Sequence, residues 1–123
     1  MTKPATRTPL DPGAQVIDLA ALRAFPRTVA RSLSYYYLSD AGHGWLAVPH
    51  DVIVALGIKE RITPYSYMDD EFVYLEEDCD LSTFVDALAL SDADGAARSW
   101  WEHHVVERHY PRDCFVRSLD SYR

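Results

Sequence analysis

The chain has only two cysteines in 123 residues, Cys79 and Cys114. That number excludes a disulfide framework, and in a reducing compartment both thiols stay free as small, partly buried apolar groups. A single bridge between them is the one alternative. No stretch approaches the roughly 20 apolar residues that a membrane-spanning helix needs. Nor does an apolar run follow Lys3 and Arg7, as a secretory signal would require. A cytoplasmic protein is expected, with no membrane partner.

Several chemical signatures are also missing. The chain has no GxSxG nucleophile elbow, no glycine-rich phosphate loop ending in Lys and Ser or Thr, and no dinucleotide fingerprint. Neither 76–80 nor 86–94 has the alternating oxygen ligands and closing bidentate Glu of a calcium loop. The sequence therefore requires no cofactor.

What is present is ordinary in bulk and uneven in distribution. A hydrophobic fraction of 48% and a charged fraction of 25% are those of a globular chain. The length suits one hydrophobic core. Pro4, Pro9, Pro12 and Gly13 mark residues 1–14 as a flexible arm ahead of one domain, 15–123. Asp18 is placed to cap a short helix through Phe25, and Pro26 discourages its continuation.

Tyr35, Tyr36 and Tyr37 favour a strand over 32–38. The turn formers of 39–44 and the apolar 45–48 complete a hairpin. Val52, Ile53, Leu56 and Ile58 have helical spacing, with His50 or Asp51 near the start and Gly57 at the exit. A second hairpin pairs 65–68 with 72–75 across Asp69, Asp70 and Glu71.

Asp80 reads as the N-cap of a helix over 81–90, on which Leu81, Phe84, Val85 and Leu88 share one face. A loop follows at 91–95. Residues 100–110 fit either a helix or a strand, and a strand from about His103 is preferred. Phe115, Val116 and Leu119 supply a last helical turn. The fold class expected is α+β: a small antiparallel sheet of hairpins, joined by a late strand, with the 81–90 helix packed on one face in two layers.

The words GHGWLAV (42–48), ALGI (55–58), YSY (65–67), VYLEEDCD (73–80) and STFVDAL (82–88), with a terminal SYR, form a distinctive string. In these the chain resembles a family of small proteins carried by bacteriophages, plasmids and related mobile elements. The resemblance spans somewhat under half the chain. It implies a genomic context and carries across no catalytic residue.

Five residue groups could bear function. His103, His104, Glu107, His109 and Cys114 lie close together and define an alternative reading as a small metal protein or enzyme. Their spacing gives HxxExH, however, one residue out of register with the zincin patterns. His43 sits between two glycines beside Trp45 in a hairpin loop, where a partner could meet it, although turn and core roles also explain both. Six tyrosines, at 35, 36, 37, 65, 67 and 74, can make one sheet face aromatic, by strand propensity alone or for an interface. A nucleophile at Cys79, Cys114 or a serine needs a histidine and an acid beside it, which sequence spacing does not supply.

The fifth group is the strongest anomaly. From Asp69 to Asp94 there are ten acids and no Lys or Arg, so this window carries minus ten and the remainder plus three. Asp69, Asp70, Glu71, Glu76, Glu77, Asp78 and Asp80 are the candidate partner-binding residues. Such a surface repels phosphates, which argues against nucleic-acid binding through this face, and it attracts a basic partner. A solvated rim with local turn and capping roles is the plainer alternative. The leading expectation is a non-enzymatic acidic binding module of a mobile element, an inhibitor of anti-CRISPR or anti-restriction type that occludes a basic site on a host-defence protein.

Overall fold

In the computed structural model, which describes residues 12–90 and 95–123, Asp18 Oδ1 accepts a hydrogen bond from Ala21 N at 3.1 Å. This cap starts helix α1, Leu19–Ala24, as its sequence predicts. The first helix stops ahead of Pro26, as expected, but Pro26 also opens a further helix not expected from the sequence. It occupies the first turn of a second helix, α2, Pro26–Ser32, where its missing N–H costs nothing and its fixed φ suits the start. The tyrosine run then forms strand β1, Tyr35–Ser39, and the GWLAV segment forms β2, Gly44–Pro49. These two pair antiparallel, with Leu38 opposite Trp45.

Helix α3, His50–Ala55, leaves β2 directly. Gly57 follows at φ +72°, a left-handed exit that glycine adopts without steric cost. A 3₁₀ turn at Lys59–Arg61 leads to the second hairpin, β3, Tyr67–Met68, and β4, Phe72–Glu76. Helix α4, Leu81–Ala87, buries Phe84. Its C-terminal carbonyls are satisfied from α2: Arg31 donates to Leu88 O at 2.7 Å and Ala89 O at 2.9 Å, and Arg27 donates to Ala87 O at 3.1 Å. An acidic helix with no basic residue of its own thus borrows its closing cations from another element.

Residues 100–110 resolve into both alternatives in succession. Helix α5, Ala96–His104, ends where strand β5, Val105–His109, begins, so the strand starts two residues later than expected. A 3₁₀ turn at Phe115–Ser118 and the short β6, Asp120–Ser121, complete the chain. The sheet order is β5-β1-β2-β4-β3-β6. All pairings are antiparallel except β5 with β1, which is parallel and makes the sheet mixed. The connection from β1 to β5, through β2, α3, the β3–β4 hairpin, α4 and α5, supplies the long crossover that a parallel pair needs.

The α+β class holds, and the layering follows from strand alternation. Tyr35, Leu46, Val48, Val73 and Leu75 face the helices and pack with Leu22, Ile53, Phe84, Leu88 and Trp100. Leu38, Trp45, Ala47 and Tyr74 face the other way, against Cys114, Val116 and Leu119 of the C-terminal segment. Because β2 is covered on both faces, 44–48 is buried throughout, which explains its continuous apolar run.

Of the arm expected over 1–14, residues 1–11 lie outside the described residues. Pro12 is buried and 12–14 form a turn. The expected loop at 91–95 is described only at Gly95, so Asp92 and Asp94 of the acidic window also fall outside.

Candidate functional site

Strand β4 divides the acidic window. Asp69, Asp70 and Glu71 sit at the hairpin turn before Phe72, while Glu76, Glu77, Asp78 and Asp80 sit at or beyond its far end. Four strand residues, 72–75, separate the two sets, and the five steps from Glu71 to Glu76 span about 17 Å of chain. The seven predicted acids therefore form two clusters, and most of their carboxylates have internal work.

Asp69 Oδ1 accepts from Glu71 N at 2.9 Å and Phe72 N at 2.8 Å, and its Oδ2 accepts from Tyr74 Oη at 2.6 Å. Desolvation pulls its pKa up, but the Tyr74 hydroxyl and the two N–H groups outweigh that and hold it below its ordinary value. Asp80 is 1% exposed and, contrary to the capping role expected from the sequence, makes no side-chain cap to α4. Its carboxylate turns instead to Thr63 N, at 3.1 and 3.0 Å, to Thr63 Oγ1 at 2.8 Å, and to the Ser66 hydroxyl. Ser66 Oγ in turn accepts from Glu76 N at 3.0 Å, so Asp80 pins the connection before β3 to the end of β4. Asp70, Glu71 and Asp78 remain exposed.

Glu76 Oε1 accepts from Asp78 N at 2.9 Å and Cys79 N at 3.0 Å, which closes the turn after β4. Glu77 reaches the first hairpin: Gly44 N donates to its Oε1 at 3.0 Å and Tyr37 Oη to its Oε2 at 3.2 Å. A Cβ at Gly44 would collide with the Tyr37 hydroxyl. Gly44 is needed for this close approach and not for a positive φ. Burial first, then the Glu77 charge and hydrogen bond, raise the Tyr37 phenol well above its ordinary value.

His43 belongs to the same corner. Its Nδ1 lies 3.5 Å from Glu76 Oε2 and 3.7 Å from Glu77 Oε1. The loop that carries it is shaped by a residue that local pattern reading missed. Asp40, buried, accepts from Gly42 N at 2.9 Å and His43 N at 3.0 Å, and across the molecule from Cys114 N at 2.9 Å. It also takes two bonds from Arg117, Nε to Oδ2 at 2.7 Å and Nη2 to Oδ1 at 2.8 Å. An Asx turn at Asp40 is a signal the loop sequence carries; the Arg117 contact, 77 residues away, is not.

The Arg117 guanidinium, followed by the Cys114, His43 and Gly42 N–H groups, holds the Asp40 carboxyl far below the usual carboxylate range against the opposing effect of burial. A depressed folded pKa contributes stability above the unfolded value of about 4 and loses it as pH falls further. Asp40→Asn should therefore lower the thermal midpoint at neutral pH and flatten its decline below about pH 4. Thermal melts of both proteins across that range check this; parallel curves would contradict it.

His43, Trp45, Tyr67, Glu76, Cys79 and Arg117 are among the residues lining a cleft of about 320 Å³ at this corner. Trp45, with His43 at 6.1 Å, Tyr67 edge-on at 6.2 Å and Arg117 5.4 Å from its ring centre, packs beneath it. Cys79 is exposed here. Desolvation first, then a hydrogen bond and charge from Glu76 and the charges of Asp80 and Asp78, hold its thiol above the ordinary value, which disfavours the nucleophilic thiolate. Burial does the same to Cys114.

The C-terminal candidates are not brought together. His103 Nδ1–H donates to Ser99 O at 2.7 Å, and His104 Nδ1–H to Leu33 O at 2.8 Å while its ring stacks on Trp100. Glu107 accepts from Trp101 Nε1 at 2.7 Å, and His109 Nδ1 pairs with Ser39 Oγ at 3.1 Å. Cys114 lies in the outer-face cluster. Among the described residues, the one group of metal-capable side chains that converges is His43, Glu76, Glu77 and Asp78.

Of the six expected tyrosines, Tyr65 lies exposed outside the strands and the other five divide by strand parity. Tyr35 and Tyr37 face the helices, whereas Tyr36, Tyr67 and Tyr74 border the outer cluster. Among the described residues, no helix is long and apolar enough to cross a membrane. Comparison with protein-family models, curated proteins and solved structures finds no match to the chain.

Proposed function

We propose that the protein is a non-enzymatic binding module that engages a basic site on a partner protein through its acidic face. One observation carries the reading: Asp51, Asp70 and Glu71 border a single cleft of about 400 Å³ beside the β3–β4 turn, all three exposed. None of them forms an ion pair with Lys or Arg among the described residues. Carboxylates without internal partners give up no existing contact when a basic surface docks, and their field accelerates encounter.

The same field repels nucleic-acid phosphates. The resemblance to mobile-element proteins supports a host partner, with a nucleic-acid-binding component of a defence system as the target and occlusion of its basic site as the mode of inhibition. Charge reversal must spare the structural acids, since Glu76 and Glu77 hold turns together. Affinity capture from host lysate supplies the partner, and stopped-flow association then compares the native chain with an Asp70→Lys, Glu71→Lys variant. A fall in association rate of about tenfold or more at low salt is expected. An unchanged rate would defeat the reading.

A further inference from the structure

We propose that His43, Glu76, Glu77 and Asp78 form a binding site for a divalent transition-metal cation. One ligand atom from each lies within 4.8 Å of all the others. Donors on a single ion at about 2.1 Å are separated by roughly 3–4 Å, so small side-chain rotations close the set. The four come from two segments that the fold already ties together. Asp40 fixes the His43 backbone, and Gly44 N binds Glu77 across the gap. The outer hydrogen bonds to Glu76 and Glu77 orient their carboxylates, as such contacts do around metal ligands.

Two further observations distinguish this corner from an ordinary acidic rim. First, three carboxylates converge with no lysine or arginine partner among the described residues, and Glu76, 8% exposed, is more than nine-tenths buried. Arg117 lines the same cleft, but its guanidinium is taken by Asp40. A buried carboxylate without a countercharge is costly, and a divalent ion beside Glu76 relieves that cost. Second, Trp45, 2% exposed, lines the cleft, and its indole N–H is the one buried side-chain donor without an acceptor among the described residues. An oxygen carried on the ion, from water or a carboxylate, is the kind of acceptor it lacks. One imidazole with carboxylates favours Zn²⁺ or Mn²⁺ over Ca²⁺ or Mg²⁺, which prefer oxygen alone.

Calorimetric titration of the full, tag-free chain with ZnCl₂ and with MnCl₂ tests the site. One equivalent should bind. His43→Ala and the exposed Asp78→Asn should each weaken it about tenfold or more, and His103→Ala should leave it unchanged, with circular dichroism confirming that each variant is folded. Absence of both binding heat and thermal stabilisation with either metal would overturn the proposal. So would binding that survives both corner variants or is lost with His103→Ala.

Discussion

Phe84→Ala should lower the thermal midpoint by about 15 °C. Phe84 is fully buried and meets the Tyr35 ring edge-on, with centroids 5.4 Å apart, where helix α4 crosses the sheet. Truncating a buried phenylalanine costs about 4 kcal/mol in lost transfer energy and cavity formation, and for a domain of this size each kcal/mol is worth about 4 °C. The aromatic contact lies between elements 49 residues apart, so the loss reports on docking and not on helix propensity. A thermal melt followed by circular dichroism reads it. A shift of only a few degrees would mean that α4 does not pack on β1.

Asp80→Ala should lower the midpoint by about 12 °C. Its carboxylate is the common acceptor for Thr63 N, Thr63 Oγ1 and Ser66 Oγ, and Ser66 continues the chain of bonds to the β4 backbone. Hydrogen bonds to a charged acceptor contribute about 1.5–3 kcal/mol each, and donors left buried without one add a penalty. A net loss of about 3 kcal/mol is expected after relaxation. A simple N-cap in solvent would cost about 1 kcal/mol, so the size of the effect separates the two roles. Ser66→Ala should show part of the same loss, and additive effects of the two substitutions would contradict a shared network.

Asp80 also shows where local pattern reading stops. A single acid ahead of an apolar helical face is an N-cap signature, and at Asp18 that reading holds, with the carboxylate bonded three residues ahead. At Asp80 the same signature is overridden by partners 14 and 17 residues upstream. The two hairpins were legible because turn formers and apolar runs are local. Pro26 was not, because one residue type both ends one helix and opens the next. The boundary between α5 and β5 at His104 and Val105 has no Gly or Pro to mark it, so the run of 100–110 satisfied both periodicities. The parallel pairing of β5 with β1 left no local trace at all.

The candidate site was half legible for related reasons. Charge composition identified the acids and the loop identified His43 and Trp45. What spacing could not show was that Glu76 and Glu77 meet His43 while His103, His104 and His109 turn to separate carbonyl and hydroxyl partners. Nor could it show which acids are committed to the fold. Asp69 and Asp80 look like Asp70 and Asp78 in a charge count, yet the former are acceptors in structural networks and the latter are exposed.

The central claim, that the uncommitted acids recruit a basic partner, is tested most directly by the ionic-strength dependence of association with the captured partner. Between about 0.01 and about 1 M salt the Debye length shrinks from about 30 Å to about 3 Å. The native chain should show an association rate that falls steeply across this range, and the Asp70→Lys, Glu71→Lys variant a slow rate that varies little or rises. A native rate that is flat with salt, or a variant that tracks it throughout, would contradict the account.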